Sequence, residues 1–414
     1  MLWNGADCTG LGMERPTRRG LVWGFAGLAV GASLPGCAAR PRGSAVPSGR
    51  SLDAQVLGLP NARFRPESGI EPFQQEVARA LERQRASYGL GEGAMLPQLK
   101  LLSVSGGGEN GAFGAGLLCG WTEAGNRPEF DLVTGVSTGA LTAPFAFLGP
   151  RYDARLRSVY TEITAANVLR QRGLIAALFD DALADSAPLL RTIEGQLDTG
   201  MLADIADAYV RGRLLLVGTA DLDAQQRVVW NLGAIAASGH PDAPELLRRL
   251  LLASAAIPGA FPPVMLDVGL EGARHQEMHV DGGAFTQAFL YPPALTASRR
   301  AAIARGFPVP PGRIYLIRNA RLDPEWSRVE RRAIRIAGRA VATMIAASGF
   351  NDALRIANLA ERDGMEFRLA FIGREFDVEL PAPFDQAYMR ALFAHGYERA
   401  RRGFDWASHV PGAW

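Results

Sequence analysis

Two glycine-rich segments contain the residues of this chain that could carry out chemistry. In the first, three consecutive glycines follow an apolar run, and in the second, Ser137 stands in a Gly-x-Ser-x-Gly pentapeptide. Consecutive glycines leave backbone N–H groups open to an oxyanion, and a serine between glycines can occupy a sharp strand-to-helix turn. Both features are requirements of acyl transfer by a serine. The glycines concerned are Gly106, Gly107, Gly108, Gly135 and Gly139.

The triple-glycine segment has a second interpretation, as a loop that binds the phosphates of a nucleotide. No Lys-Ser or Lys-Thr pair follows it, which disfavours a P-loop. The next strand ends in the serine pentapeptide rather than in an acidic residue for a ribose, which disfavours a dinucleotide site. We therefore interpret the segment as an oxyanion hole.

A serine nucleophile also needs a base. The chain has five histidines, and the order Ser, acid, His would make His395 or His409 the base. The first falls within a helical pattern and the second lies near the C-terminus, so neither is expected at the end of a strand. The alternative is Asp281, which precedes Gly282 and Gly283. A partly desolvated carboxylate within hydrogen-bond reach can deprotonate a serine directly.

Apolar strands alternate with helical patterns from Lys100 onward, which predicts an α/β fold with a parallel sheet covered by helices. Strands are expected at residues 101–105, 132–136, 214–219, 228–232, 314–317 and 367–372. Helices are expected at 73–88, 244–256, 330–360 and 385–402, with a helical insertion near the substrate within 153–201. The triple glycine and the serine pentapeptide then follow neighbouring strands, so we expect them to meet at one edge of the sheet.

The N-terminal segment predicts export. Arg15, Arg18 and Arg19 precede an uncharged apolar run that ends in Leu-Pro-Gly-Cys at Cys37. This is the pattern of a secretory signal peptide, and the run is shorter than the roughly 20 apolar residues of a spanning helix. We predict a lipoprotein signal peptide over residues 1–36, lipidation of Cys37, and a location at the membrane surface of a bacterial cell envelope.

The composition excludes several other classes of protein. The 414 residues carry a formal net charge of +2, which gives no general electrostatic attraction for nucleic acids. Three cysteines cannot form a disulfide framework, and no Cys or His spacing indicates a metal site. We expect Cys119, in an apolar helical run, to be a core residue. No metal, organic cofactor or nucleic-acid partner is expected.

The order of the motifs resembles that of the patatin-like phospholipase family. GGGENGAFGAG, GVSTG, ASAAIPGAFPPV and VDGG follow one another between residues 98 and 294. The resemblance implies a three-layer α/β/α fold with a mainly parallel central sheet and a C-terminal helical extension. It also implies a Ser–Asp dyad without histidine, in which Ser137 is the nucleophile, Asp281 the base and the triple glycine the oxyanion hole. Many members have Arg or Lys where this chain has the uncharged Asn110, so a preference for phosphate-bearing head groups is not implied.

These patterns divide the chain into four parts. The signal peptide is followed by a flexible tether and an N-terminal helix over 37–95, a catalytic domain over 96–295 and a C-terminal α/β extension packed on it over 296–414. The function expected from the resemblance is hydrolysis of lipid carboxylic esters, of the phospholipase A or lysophospholipase type. Two alternatives stay open, an α/β-hydrolase esterase with a Ser-His-Asp triad and an inactive, envelope-tethered binding protein of the same fold.

Overall fold

The structure is a computed structural model that describes residues 42–91, 93–171 and 181–412. The predicted signal peptide over 1–36 and the predicted lipidation site at Cys37 lie outside the described residues. The protein is therefore described from residue 42 onward.

A nine-stranded sheet forms the centre of the fold. Its strands are β1 (Arg63–Phe64), β2 (Leu99–Val104), β3 (Leu132–Val136), β4 (Leu214–Asp221), β5 (Gln226–Asn231), β6 (Val264–Leu270), β7 (Ala273–Asp281), β8 (Gly312–Arg318) and β9 (Glu366–Phe371). The main path runs β1-β5-β4-β3-β2-β8-β9, and β4, β3, β2, β8 and β9 are parallel along it. Strand β5 is antiparallel to β4, and the antiparallel hairpin of β6 and β7 pairs with β4 through β7.

Helices cover both faces of the sheet. The longer ones are α1 (Glu71–Ser87), α2 (Gly111–Glu123), α3 (Thr138–Leu148), α4 (Asp153–Thr161), α5 (Ala187–Gln196), α6 (Thr199–Val210), α7 (Ala243–Ser254), α8 (Ala294–Ala304), α9 (Ala333–Arg362) and α10 (Gln386–Arg401). One-turn or two-turn helices occur at Ala165–Val168 and Leu232–Ala237, and a two-residue antiparallel pair joins Arg170–Gln171 to Ala184–Asp185.

The alternation of side chains along the strands produces two hydrophobic cores, one on each face. Strand β8 contributes Tyr315 and Ile317 to one core and Ile314 and Leu316 to the other. Helices α2, α3, α7 and α10 pack on the first face, and α1 and the second half of α9 pack on the opposite face. The parallel strands are buried on both faces, which explains why their sequences are continuous apolar runs rather than alternating ones. The three-layer α/β/α architecture is confirmed.

The C-terminal residues belong to the sheet itself. Strand β8 pairs along β2 on the side opposite β3, and β9 pairs with β8. Helix α10 packs directly on α2, where a Cβ atom at Gly116 or Gly120 would lie 2.1 Å from the carbonyl oxygen of Phe393 or Tyr397. The division that makes residues 296–414 a C-terminal α/β extension packed on the catalytic domain stays a prediction. Strands β8 and β9 of this region lie in the central layer, because β2 has two edges and only one is covered by β3.

The described part of the predicted tether lies against the β6–β7 hairpin. Ala45 forms a bridge with Gln276 in β7, and Gln55 exchanges backbone hydrogen bonds with Gly269 in β6. Arg42 forms an ion pair with Asp223 at 2.7 Å. Residues 42–57 are thus held on the domain although their composition predicts a flexible chain, because the hairpin offers unpaired backbone groups at its edge.

Candidate active site

Ser137 occupies the sharp turn between β3 and α3. Its backbone angles, φ of 56° and ψ of −128°, lie in a region that residues other than glycine rarely adopt. The flanking glycines permit the turn because the chain is crowded on both sides. A Cβ atom at Gly135 would lie 2.4 Å from the Gly139 carbonyl oxygen, and one at Gly139 would lie 2.2 Å from the Val104 carbonyl oxygen. The Gly-x-Ser-x-Gly spacing is therefore a packing requirement of this turn.

A second serine fixes the turn from the other side. The backbone N–H of Ser137 donates to Oγ of Ser254 at 3.1 Å, and that hydroxyl donates to the carbonyl oxygen of Gly218 at 2.7 Å. Ser254 is fully buried at the end of α7. It belongs to the ASAAIPGAFPPV motif. The role of its hydroxyl as a support for the turn is visible only in three dimensions.

Sheet register brings Asp281 to Ser137. Strand β3 pairs with β4 as far as Val136 opposite Gly218, and β7 pairs with the same edge of β4 from Thr219 onward, where Thr219 lies opposite Asp281. Strand β7 therefore pairs with the edge of β4 directly beyond the point where β3 ends and the chain turns at Ser137. The Ser137 side chain therefore lies close enough to the Asp281 carboxylate to lower its pKa, and Oδ1 of Asp281 accepts the Gly283 N–H at 2.6 Å.

The Asp281 carboxylate is buried, and desolvation is the largest influence on its ionisation. Burial raises the pKa of Asp281 to about 6, while the hydrogen bonds from Ser137 and Gly283 act in the opposite direction. Gly282 allows this close arrangement, since a Cβ atom there would lie 2.4 Å from the Gly218 carbonyl oxygen. A carboxylate with this pKa is ionised near neutral pH and is a stronger base than an exposed aspartate.

No histidine lines the cavity at Ser137 in the described part of the chain. His395 lies between the rings of Phe113 and Phe376, and His409 is exposed near the C-terminus. His279 is buried, but its ring nitrogens are engaged by Thr219 at 2.9 Å and Glu277 at 3.1 Å.

The three glycines of the first motif have different roles. The N–H of Gly106 donates to the carbonyl oxygen of Gln287 at 3.0 Å, so this amide is already used and holds the loop in place. The assignment of Gly106 to the oxyanion hole stays a prediction. The amides of Gly107 and Gly108 have no backbone acceptor among the described residues. Only glycine fits at position 107, because a Cβ atom would lie 2.2 Å from the Asn319 carbonyl oxygen.

Two residues outside the motifs hold these loops. Asn319, directly after β8, donates to Ser105 through its backbone N–H and its side-chain Nδ2, and accepts the Gly114 N–H. Asp352, on the buried side of α9, accepts the backbone N–H groups of Gln287 and Ala288 at 2.6 and 3.2 Å. Since Gln287 in turn accepts from Gly106, α9 supports the glycine loop through one intermediate residue. A polar residue at the end of a predicted parallel strand is a signal for Asn319, whereas Asp352 stands in no motif.

An apolar cavity extends from Ser137. Gly108, Glu109 and Ser137 stand on its wall, and the remainder is almost entirely apolar. Helices between residues 153 and 201 line it, as expected from the sequence, together with α3 and α7. Apolar lining residues include Leu141, Phe145, Val159, Ile163, Leu189, Ile193, Leu251, Ile257 and Phe261. This almost wholly apolar lining suits a hydrocarbon chain.

The polar residues of the glycine loop do not include a positively charged side chain. Asn110 accepts a hydrogen bond from the Tyr388 hydroxyl at 2.7 Å, which ties it to α10. Burial raises the pKa of the Glu109 carboxyl, which lies at the cavity wall. Within the described residues, no arginine or lysine lines the cavity. The charge that would bind a phosphate is therefore missing at the position where many patatin-like proteins have Arg or Lys.

One cluster has the residue types of a metal site. Asp221, Glu277 and His279 bring their ligand atoms within 4.8 Å of one another. The guanidinium of Arg65 already binds Asp221 at 2.8 Å and Glu277 at 2.9 Å, and Arg63 also pairs with Glu277. These buried arginines supply the compensating charge that a cation would otherwise provide. The cluster is an ion-pair network that joins β1 to β4 and β7.

Comparison with known proteins identifies a family for one part of the chain. The crystal structure of VipD from Legionella pneumophila is 12% identical in sequence, with an alignment that covers 76% of this chain and 68% of VipD and a TM-score of 0.36, which is too low to compare the two sites. No match is found among curated protein sequences. The family model of patatin-like phospholipases matches residues 102–294, which contain the serine turn, the glycine loop and Asp281. Residues 102–294 of this chain therefore form a domain of the patatin-like phospholipase family.

Proposed function

We propose that this protein hydrolyses carboxylic esters of lipids with a dyad of Ser137 and Asp281. The observation that carries the proposal is the sheet register that brings the buried Asp281 carboxylate to Ser137, whose side chain stands at the wall of an apolar cavity. Membership of a family of lipid acyl hydrolases supports the reaction class. The cavity supports an acyl chain as the recognised part of the substrate, because its lining is hydrocarbon and lacks a cation in the described residues.

The reaction proceeds in two halves. Asp281 accepts the hydroxyl proton as Oγ of Ser137 attacks the ester carbonyl carbon, and the amides of Gly107 and Gly108 donate to the resulting oxyanion. Protonated Asp281 then gives its proton to the leaving alkoxide, which leaves an acyl-enzyme. Asp281 next accepts a proton from water as the water attacks the acyl carbon. Collapse of this second oxyanion releases the fatty acid, and the proton returns to Ser137.

The predicted export signal supports a lipid substrate by a separate route. Cleavage of residues 1–36 and acylation of Cys37 would hold the protein on a bacterial envelope membrane, where lipid esters are concentrated. We include this location in the proposal. It depends on the sequence pattern alone.

Labelling with a fluorophosphonate tests the activated serine. We expect the probe to label the protein and Ser137→Ala to lose the label, since only a nucleophile with a base beside it reacts. Ser298→Ala, which changes an exposed serine on α8, is the matched control and should label normally. Fatty acid should be released from diacyl phospholipid or neutral glyceride in parallel. Absence of both labelling and release would leave the inactive binding protein as the better description.

The pKa of Asp281 predicts the pH dependence. The base acts only when ionised, so kcat/KM for a soluble ester should rise with pH through an apparent pKa of about 6 and then level off. At about pH 5 the rate should be about tenfold below the plateau. The check is a rate profile with a short-chain ester between about pH 5 and about pH 8. A profile that is flat over this range, or that falls as pH rises, would contradict the assignment of Asp281 as the base.

A further inference from the structure

The first half of α9 is an apolar helix that nothing covers in the described structure. Residues 333–347 are exposed along almost their whole length, and large apolar side chains are among them, with Ile334 80% and Met344 62% exposed. Among the described helices, α9 is the one long and apolar enough to cross a membrane by length and composition. Its second half behaves differently, since Asp352, Ala353 and Ile356 are buried against the sheet.

The exposed half extends beyond the edge of the sheet that holds the candidate active site. Arg318, at the end of β8, donates to the carbonyl oxygen of Ala346, whereas Met365, after the end of α9, lies beside Gly312 at the start of β8. The helix therefore runs antiparallel to β8, and its residues before Ala346 continue past the ends of the parallel strands. At about 1.5 Å per residue, this part is about 20 Å long. Ser137 and the glycine loop follow β3 and β2 at this same edge.

The large apolar side chains of the exposed half lie mainly on one side. On a helical wheel, Ile334, Val341, Met344 and Ile345 fall on that side and Arg335, Arg339 and Thr343 on the other, with Ile336 at the boundary next to Thr343. The side chain of Arg339 donates to the Glu325 carbonyl oxygen, so the preceding loop lies toward the polar side. That loop contains Trp326, which is 89% exposed. We call residues 324–347 the overhanging segment.

The charge of the overhanging segment selects among possible partners. It contains five arginines and two glutamates, and no acidic residue lies within ion-pair distance of Arg328, Arg331 or Arg335 in the described chain. Apolar side chains, an exposed tryptophan and unpaired arginines are the combination that binds at the boundary between lipid head groups and acyl chains. Unpaired positive charge favours an anionic lipid surface. A second copy of this chain would bring the same positive charges together.

The segment is suited to lie on a bilayer and not to cross it. Its free part is about 20 Å long, against about 30 Å for the hydrocarbon layer, and two arginines lie within it. From Gly349 onward the helix is fixed to the protein, since a Cβ atom at Gly349 would lie 2.0 Å from the Arg318 guanidinium. The length available beyond the sheet therefore matches an interfacial helix.

We infer that the overhanging segment is a membrane-contact element that seats the active-site edge of the sheet on an anionic lipid surface. The inference takes its substrate from the proposed function, but the membrane contact is independent of catalysis. It is also separate from lipidation at Cys37. Both hydrophobic cores lie between residues 54 and 410, so a chain that starts at Arg40 retains the whole folding unit and lacks that anchor.

Vesicle sedimentation tests the contact with residues 40–414. The variant Ile334→Asp/Met344→Asp should reduce the partition coefficient on vesicles of about 30% phosphatidylglycerol in phosphatidylcholine by at least about tenfold. Binding of the unsubstituted chain should weaken in about 0.5 M salt and on pure phosphatidylcholine, because the arginines act through screened charge. The matched control is Val210→Asp/Phe307→Asp, which changes side chains 61% and 60% exposed at the opposite edge of the sheet and should bind normally.

Hydrolysis of a soluble short-chain ester separates the two proposals. It should be unchanged in Ile334→Asp/Met344→Asp, which also shows that the variant is folded. Vesicle binding that is unaffected by this variant, or that the control variant reduces equally, overturns the membrane contact. Sedimentation equilibrium that shows a dimer which the variant dissociates overturns it in favour of a second copy. A chain that hydrolyses no ester but still loses vesicle binding in the variant refutes the proposed function and supports the contact.

Discussion

Replacement of Ser137 by alanine is expected to lower kcat/KM for ester hydrolysis by at least about 10⁴-fold, because the acyl-enzyme can no longer form. The fold should be unaffected, since the backbone N–H of residue 137 still donates to Ser254. The measurement is the rate of fatty-acid release together with the thermal unfolding temperature. Residual hydrolysis within about tenfold of the unsubstituted protein would show that another residue is the nucleophile.

The variant Ser137→Gly provides a control that links the loss of activity to the turn. The native φ of 56° strains a serine, at a cost of order 1 to 3 kcal/mol that glycine does not incur. Ser137→Gly should therefore be as inactive as Ser137→Ala and more stable than it, by about 1 kcal/mol in the free energy of unfolding. Equal stability of the two variants would show that the turn stores no strain.

Replacement of Asp281 by asparagine is expected to lower kcat/KM by about 10³-fold or more, because an amide cannot accept the Ser137 proton. Asparagine has nearly the same shape and its Oδ1 can still accept the Gly283 N–H, so the loop should keep its conformation. His395→Ala and His409→Ala are the matched comparisons and should retain hydrolysis. Loss of hydrolysis in either histidine variant, with Asp281→Asn active, would restore the Ser-His-Asp alternative.

The same substitution should raise the free energy of unfolding by an amount that depends on pH. Burial raises the pKa of Asp281 from 3.8 in the unfolded chain to about 6, so ionisation in the folded state costs free energy above about pH 6. A shift of about two units corresponds to about 3 kcal/mol. Asp281→Asn should therefore be the more stable protein at about pH 8, and its advantage should shrink as pH falls through 6 and vanish below about 4. Urea unfolding at several pH values measures this difference, and an advantage that grows as pH falls would contradict it.

The sequence predicts the central layer well because its strands are buried on both faces. The strand expected at 132–136 is found with those bounds, and the strands expected at 314–317 and 367–372 are found at Gly312–Arg318 and Glu366–Phe371. The helix expected at 330–360 is found at Ala333–Arg362. Long apolar runs bounded by glycine or polar residues leave little freedom for another assignment. The predicted three-layer fold with a mostly parallel sheet is confirmed.

Strand order is the part of the fold that the sequence does not contain. A parallel strand such as β8 could add to either open edge of the sheet, and only the assembled structure places it beside β2. The β6–β7 hairpin is difficult to predict from the sequence for another reason. Its strands carry Glu277 and other charged residues, and Glu277 is buried because Arg63 and Arg65 neutralise it from a segment more than two hundred residues earlier. A local sequence pattern cannot show that a charged residue is buried when the residues that neutralise it are so far away in the sequence.

The chemistry of the site is visible in the sequence to the extent that it is local. The serine turn requires glycines at a fixed spacing, and the five consecutive residues of the pentapeptide show that spacing directly. The meeting of Ser137 with Asp281 depends on the register of β7 against β4, for which the chain offers no local signal. The support of the glycine loop by Asp352 is equally non-local, since an aspartate in an apolar helix indicates only that some buried partner exists.

Because β8 lies in the central sheet, the unit that folds is longer than the segment that matches the family model, which ends at residue 294. A chain cut after Ala294 would retain both reacting side chains, yet it would lose the neighbour of β2, the helix that rests on Gly116 and Gly120, and the Asn319 contacts to the loop. The bared strand would offer its backbone to other chains and invite aggregation. Transplanting the serine turn and the glycine loop into another protein therefore requires the C-terminal third as well.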